Sequence, residues 1–182
     1  MNVDIAYSEF RARVEQLLPE GAHFLPAASD QELADLAATL GRPVPEELVA
    51  LLRSAGGQSD SADGPLEWCR FLTPAEIGEQ YAMLRELFND PPEEEVQPST
   101  YRWQIWGPGW IPFAASDGNS FILDTEPGLN GVVGQIFFRP NVPDLDDPLA
   151  SSLSEFFVVV NAELEAGSYT VDDGTLLLDA WQ

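Results

Sequence analysis

The chain has 182 residues and a formal net charge of −23, because 31 aspartates and glutamates face eight basic residues, all of them arginine. A surface this acidic repels nucleic-acid phosphates and anionic lipid headgroups, so direct binding to nucleic acid or to membranes is not expected. The lack of lysine also excludes a P-loop lysine and a Schiff-base lysine. Hydrophobic residues make up 45% of the chain, which favours a folded core over disorder despite the charge.

The length suits one domain with a core of ordinary size. Cys69 is the one cysteine, so no internal disulfide can form. The first 20 residues contain an acid at Asp4 and lack the apolar stretch of a signal peptide. The densest apolar run, residues 156–160, is far shorter than the roughly 20 residues that span a bilayer. We therefore expect a cytoplasmic protein.

The helices of the first half are indicated by apolar residues at helical spacing and by two capping boxes, Ser29–Glu32 and Thr73–Glu76. The predicted helices cover residues 8–18, 29–40, 45–55 and 73–88. Residues 66–72 are typical of a strand that leads into the last of these helices.

The second half consists of short aromatic and apolar runs between glycine-rich turns, which is typical of consecutive antiparallel hairpins. The predicted strands cover residues 101–106, 110–114, 120–124 and 132–138. A third capping box, Ser152–Glu155, predicts a helix to about residue 165, and residues 175–181 add an edge strand or dock as a tail. The fold class is therefore α+β: N-terminal helices, a central, mostly antiparallel sheet built as a meander, and a closing C-terminal helix.

Buried positions follow from the apolar faces of these elements. The predicted core residues are Leu36, Leu48, Leu52, Trp110, Ile122 and Phe156.

Acidic residues are concentrated in two stretches. Nine acids and no base follow Arg139, and a second cluster lies within residues 86–95. One interpretation is that the acids only aid solubility, and the other is that they form a face for a basic partner. The candidate partner-binding residues in these stretches are Glu93, Glu94, Glu95, Asp144, Asp146 and Asp147.

Three tryptophans, Trp103, Trp106 and Trp110, lie within eight residues. Core packing explains such a cluster, but tryptophan also serves as an anchor in protein interfaces. On a strand, Trp103 and Trp106 would point to opposite faces, which would leave at least one of them exposed. We therefore add Trp103 to the candidate partner-binding residues.

Catalytic and metal-binding patterns are missing from the sequence. The one histidine, His23, lies in a turn, and Cys69 lies among aromatic residues as expected of a buried, inert thiol. One histidine and one cysteine exclude an ordinary zinc site, and the aspartates of residues 144–147 and 172–173 lack the register of an EF-hand loop. No catalytic residue, no metal and no cofactor are predicted.

Five short patterns occur in an order that resembles the SUKH superfamily of Smi/Knr-like domains. They are Leu33-x-x-Leu36-x-x-x-Leu40-Gly41-x-Pro43-x-Pro45-x-x-Leu48-x-x-Leu51-Leu52 before Gly56-Gly57; Phe71-Leu-Thr-Pro-Ala-Glu-Ile77; Trp110-Ile-Pro-Phe113 with Asp117-Gly-Asn119 and Phe121-Ile-Leu-Asp124; Gly134-Gln-Ile136; and Ser152-Leu-x-Glu-Phe156. Two residues depart from the family pattern: Ala37 replaces a frequent glutamate, and Gly56 replaces a frequent asparagine.

The resemblance implies a SUKH-like domain in residues 24–169. The flanking segments are then an N-terminal helix and turn in residues 1–23 and a C-terminal tail or edge strand in residues 170–182. It implies an α+β domain without catalytic machinery that binds a protein. The expected role is that of an immunity protein that neutralises a bacterial toxin, such as a basic nuclease domain. The alternative is a regulatory interaction scaffold in signalling or cell-wall synthesis.

Overall fold

The computed structural model describes residues 2–19, 22–59, 64–88, 99–141 and 145–181. The helices are α1 (Val3–Leu17), α2 (Asp30–Leu40), α3 (Glu46–Ser54), α4 (Pro74–Leu87) and α5 (Leu153–Ala166), and a 3-10 turn covers Asp179–Trp181. The strands are β1 (Arg70–Phe71), β2 (Trp110–Ser116), β3 (Asn119–Asp124), β4 (Gln135–Arg139), β5 (Tyr169–Asp172) and β6 (Thr175–Leu178). The predicted α+β class, with helices first, a central sheet next and a helix after it, is confirmed.

Two of the predicted capping boxes form in full. The Ser29 hydroxyl accepts the Glu32 backbone N–H, and the Glu32 carboxylate accepts the Ser29 N–H in return. Thr73 and Glu76 form the same reciprocal pair at the start of α4. Each box satisfies backbone donors that a helix start leaves without a partner, so both helices begin where the sequence indicates.

The capping box predicted at Ser152 forms only in half. The Ser152 hydroxyl accepts the Glu155 N–H at 3.1 Å, but the Glu155 carboxylate accepts the Ser151 N–H instead. Glu47 of α3 also contributes, since its carboxylate accepts the Leu153 N–H at 2.9 Å. A tertiary contact therefore completes the start of α5, which local sequence cannot show.

The central sheet has the strand order β1-β2-β3-β4, and every pair in it is antiparallel. The predicted meander is therefore confirmed, but two strand boundaries were wrong. The strand predicted at residues 66–72 is reduced to Arg70–Phe71, because Glu67 and Trp68 adopt φ of +50° and +56° in a tight turn. The strand predicted at residues 132–138 begins only at Gln135.

The core is formed around an aromatic cluster in which Tyr7 and Phe10 of α1 meet Phe71 and Phe157 at ring distances of 4.8–6.1 Å. α1 therefore packs against α5, which lies 150 residues further along the chain. All predicted core residues are at most 2% exposed: Leu36, Leu48, Leu52, Trp110, Ile122 and Phe156.

The C-terminal residues form the hairpin β5–β6. Leu176 and Leu178 are fully buried, and the Trp181 ring stacks on Phe156 at 5.7 Å. On its other side β6 is bonded to residues 65–67, since the Leu176 N–H donates to the Pro65 carbonyl at 3.0 Å. The hairpin thus belongs to the same core as the central sheet.

The ends of β3 and β4 are joined by a buried carboxylate and amide. Asp124 and Gln135 are paired in register, and the Gln135 Nε2 donates to Asp124 Oδ2 at 3.0 Å. Asp124 Oδ1 accepts the Glu126 N–H, and Gln135 Oε1 accepts the Val132 N–H, both at 3.0 Å. These bonds fix both ends of the β3–β4 connection. Burial raises the pKa of Asp124 to about 6, although hydrogen bonds from Glu126, Gln135 and Trp110 oppose the shift.

Truncation of Phe156 to alanine should lower the free energy of unfolding by about 3–5 kcal/mol, because the ring is fully buried between Phe113, Phe121 and Trp181. The matched control in the same helix is Val158→Ala, since Val158 is exposed and should change stability by no more than about 0.5 kcal/mol. Urea denaturation measures both. Equal losses in the two variants would contradict the assigned core face of α5.

Asp124 should make stability depend on pH. Because its folded pKa is raised to about 6, the folded state binds the proton more tightly than the unfolded chain does. The stabilising contribution is complete below about pH 4 and is lost as the pH rises through about 6. The shift corresponds to roughly 2–3 kcal/mol.

The measurement is the free energy of unfolding from about pH 4 to pH 7. Asp124→Asn should remove roughly 2–3 kcal/mol of the decrease over this range. Asp117→Asn, which changes an exposed turn carboxylate, should retain the decrease. A wild-type profile that Asp124→Asn leaves unchanged would show that Asp124 does not titrate in this range.

Candidate protein-interaction surface

Residues 99–109, here called the tryptophan loop, form no strand, so the strand predicted at residues 101–106 was wrong. Trp103 and Trp106 do not lie on opposite faces: each is 5% exposed, and each packs edge-on against Trp110, at 6.2 and 6.0 Å. The Trp103 ring also lies against Gly107, where any Cβ would overlap it. Core packing therefore accounts for Trp103, and this conformation offers no Trp103 surface to a partner.

The β3–β4 connection carries three strongly exposed apolar side chains, here called the apolar tip: Leu129, Val132 and Val133, exposed by 68%, 53% and 71%. Exposed apolar residues grouped in this way are typical of interaction sites. The sequence reading missed them, because it placed Leu129 in a turn and the two valines in a strand. The available signal was the set of three apolar residues around the glycines at 128, 131 and 134.

The apolar tip is held in place by backbone hydrogen bonds. The Gly128 N–H donates to the Thr100 carbonyl at 3.0 Å, and the Asn130 N–H donates to the Ser99 carbonyl at 3.2 Å. The Gly134 N–H donates to the Asp124 carbonyl at 2.7 Å. The tip is therefore tied both to the tryptophan loop and to the end of β3, and its side chains project from a fixed backbone.

Two of the acidic candidates, Asp146 and Asp147, are exposed and lie beside the tryptophan loop. The Tyr101 hydroxyl donates to the Asp146 carbonyl at 2.6 Å. Burial, together with the negative charges of Asp147, Asp124 and Asp146, raises the pKa of Tyr101. The tryptophan loop thus contacts the apolar tip through residues 99–100 and the acidic segment through Tyr101. The other acidic candidates, Glu93, Glu94, Glu95 and Asp144, lie outside the described residues.

Some carboxylates around this surface are paired with arginine and others are not. Glu126, at the base of the β3–β4 connection, is paired with Arg42 at 3.0 Å and with Arg102 at 3.8 Å. Within the described residues, Asp146 and Asp147 form no ion pair. The arrangement combines exposed apolar area with uncompensated negative charge, which is the chemistry of a protein-recognition surface.

The residues considered for catalysis are placed as expected. His23 is exposed in its turn. Cys69 is buried, and burial together with the charge of Glu67 raises the pKa of its thiol to about 12, so at neutral pH it is not a thiolate nucleophile. Among the described residues, no group of three or more His, Cys, Asp or Glu side chains is arranged to hold a metal ion. No helix in the described ranges combines the length and apolar content needed to cross a membrane.

The sequence was compared with family models and with known proteins. Residues 27–158 match the model of the SMI1 / KNR4 family (SUKH-1). The chain is 34% identical over 67 residues to a Schizosaccharomyces pombe protein named cell wall biosynthesis/cell cycle regulator smi1, covering 36% of this chain and 13% of that protein. It is 30% identical over 92 residues to a Neurospora crassa glucan synthesis regulatory protein, covering 50% of this chain and 17% of that protein.

A third relative is the cell wall assembly regulator SMI1 of Saccharomyces cerevisiae, 32% identical over 90 residues, or 48% of this chain and 18% of that protein. The matches thus span between 13% and 18% of these relatives. The family model covers most of the SUKH-like region expected at residues 24–169, and the fold is the α+β fold that the resemblance implied. The chain belongs to the SMI1/KNR4 family (SUKH-1).

Proposed function

We propose that this chain is a non-enzymatic, regulatory protein-binding domain that contacts its partner through the apolar tip. The observation that carries the proposal is the exposure of Leu129, Val132 and Val133 on a connection fixed by hydrogen bonds at both ends. Such a surface binds at a lower cost in conformational entropy than a mobile loop, because its backbone is already ordered.

The acidic residues complement the apolar tip. Asp146 and Asp147 are exposed and are held beside the tryptophan loop, which also contacts the backbone of the apolar tip. Apolar contacts supply affinity, whereas charges outside the apolar centre mainly raise the association rate. The partner that fits is a protein with an apolar site flanked by basic residues.

The relatives favour regulation over toxin neutralisation. All three are named as regulators: of cell wall biosynthesis and the cell cycle, of glucan synthesis, and of cell wall assembly. We therefore place the alternative from the sequence reading, a regulatory interaction scaffold, ahead of the immunity role. A toxin or nuclease partner has no support from the comparisons.

Removal of the apolar tip should abolish partner capture. The double variant Leu129→Ser/Val133→Ser should reduce the recovery of specific partners at least about tenfold, since the loss of central apolar contacts costs 1 kcal/mol or more per residue. Both side chains are exposed, so the melting temperature should stay close to that of the wild type. The measurement is quantitative mass spectrometry of proteins cross-linked to the tagged chain in its host cells.

The matched control is Ile5→Ser, which removes an apolar side chain of 53% exposure from α1, away from the tip. It should retain the partners. If the tip variant and the control capture the same proteins in the same amounts, the apolar tip is not the binding surface.

The charge of the acidic segment should act on the rate of association. Asp146→Asn/Asp147→Asn leaves the Tyr101 contact intact, because Tyr101 is bonded to the Asp146 backbone carbonyl. Stopped-flow binding to the captured partner should then be slower and less sensitive to salt, with little change in the dissociation rate. Asp4→Asn/Glu9→Gln on α1 serves as the charge-matched control. If the association rate responds neither to salt nor to the Asp146/Asp147 change, these acids do not steer the partner and serve only solubility.

A further inference from the structure

The register of the hairpin β5–β6 determines which backbone N–H and C=O groups of each strand point away from the other strand. Asp173 and Gly174 form its two-residue turn with φ of +43° and +81°, and Asp172 is paired with Thr175. In such a hairpin the pair that flanks the turn exchanges both hydrogen bonds, and bonded pairs then alternate with non-bonded pairs. Tyr169 and Val171 are in non-bonded pairs, so their N–H and C=O groups point away from β6.

The opposite edge of the hairpin confirms this alternation. Leu176, which is paired with Val171, donates its N–H to the Pro65 carbonyl and accepts the Glu67 N–H, both at 3.0 Å. The Leu178 N–H donates to the Glu67 carboxylate at 2.8 Å. The outward groups of β6 are therefore occupied by residues 65–67, which contact it through an isolated bridge between Leu66 and Leu176.

The outer edge of β5 has no such cover. Among the described residues, no strand pairs with the outward side of β5, and no hydrogen bond reaches the outward N–H or C=O of Val171. Exposed edges are often protected by very short length, charged side chains, proline or a bulge. β5 has four residues, and its one charged residue, Asp172, lies next to the turn. β5 pairs without a bulge over its full length, contains no proline, and exposes 49% of Val171 between these open groups.

The charges at this edge decide what can occupy it. Asp172, Asp173 and Asp179 are exposed and form no ion pair among the described residues, and no base follows Arg139 in the sequence. A second copy of the chain would bring an equal negative charge to the same edge and be repelled. An extended segment that carries lysine or arginine would be attracted.

We propose that the outer edge of β5 is a second docking site, where an extended basic segment of a partner adds as a strand and pairs with the backbone of Tyr169 and Val171. The added strand donates to and accepts from the outward groups, and its basic side chains lie near the aspartates of the turn. The site is separate from the apolar tip and does not depend on it.

The test uses a capped octapeptide of alternating lysine and valine, added to the full chain and followed by NMR of the backbone amides. The largest shifts are expected in residues 169–172, and hydrogen exchange of the Val171 amide should slow at least about tenfold on binding. Val171→Pro should weaken binding at least about tenfold, because it removes the outward donor while sparing every bond to β6. Val171→Thr, which keeps the donor, should bind as the wild type does.

Peptide variants test the same contact without altering the protein. The octapeptide with its four central amides N-methylated should not bind, and an alternating glutamate and valine peptide should not bind. The Leu129→Ser/Val133→Ser variant should bind the lysine peptide normally, which separates this site from the proposed function of the tip. Binding that survives both Val171→Pro and N-methylation overturns the proposal. So does a lysine peptide that does not bind, or an edge that sedimentation shows to be occupied by a second copy.

Discussion

The packing of aromatic rings around Trp110 is the contact on which the proposed interaction surface depends. Trp110 is fully buried at the start of β2, and the rings of Tyr101, Trp103, Trp106 and Phe137 surround it at 4.9–6.3 Å. This packing fixes an irregular loop that has no strand pairing of its own. The loop in turn holds the apolar tip by its backbone and the acidic segment by the Tyr101 hydroxyl.

The burial of these tryptophans carries a free-energy penalty, because two of their indole N–H groups lack a hydrogen-bond partner among the described residues. The indole N–H groups of Trp103 and Trp106 are buried and have no hydrogen-bond partner within the described structure. An unpaired buried donor is destabilising, so the apolar contacts of these rings must outweigh that penalty. Trp103 and Trp106 therefore differ from tryptophans that anchor an interface. They stabilise the loop that holds the proposed binding surface, but they are not part of that surface.

Negative charge near both proposed sites favours partners with basic segments. Among the described residues, six of the eight arginines are paired with carboxylates, and eight bases cannot compensate the 31 acids of the sequence. Asp146 and Asp147 lie beside the tryptophan loop, and Asp172 and Asp173 lie at the end of β5. Partners with basic segments are favoured at both sites, and self-association is disfavoured.

Local sequence patterns predict the features that depend on neighbouring residues. The boundaries of α2 and α4 follow from capping boxes within four residues, and the order of the β2–β4 meander follows from turns between short apolar runs. Tertiary structure decided the features that join distant residues. Trp103 is buried because Gly107 and Trp110 fold onto it. The apolar tip is exposed because residues 99–100 and 124 hold its backbone. β5 is an edge because, among the described residues, no strand pairs with its outward side, whereas residues 65–67 cover that of β6. The burial of Trp103, the exposure of the apolar tip and the edge position of β5 depend on such long-range contacts, which the local pattern of a single sequence does not specify.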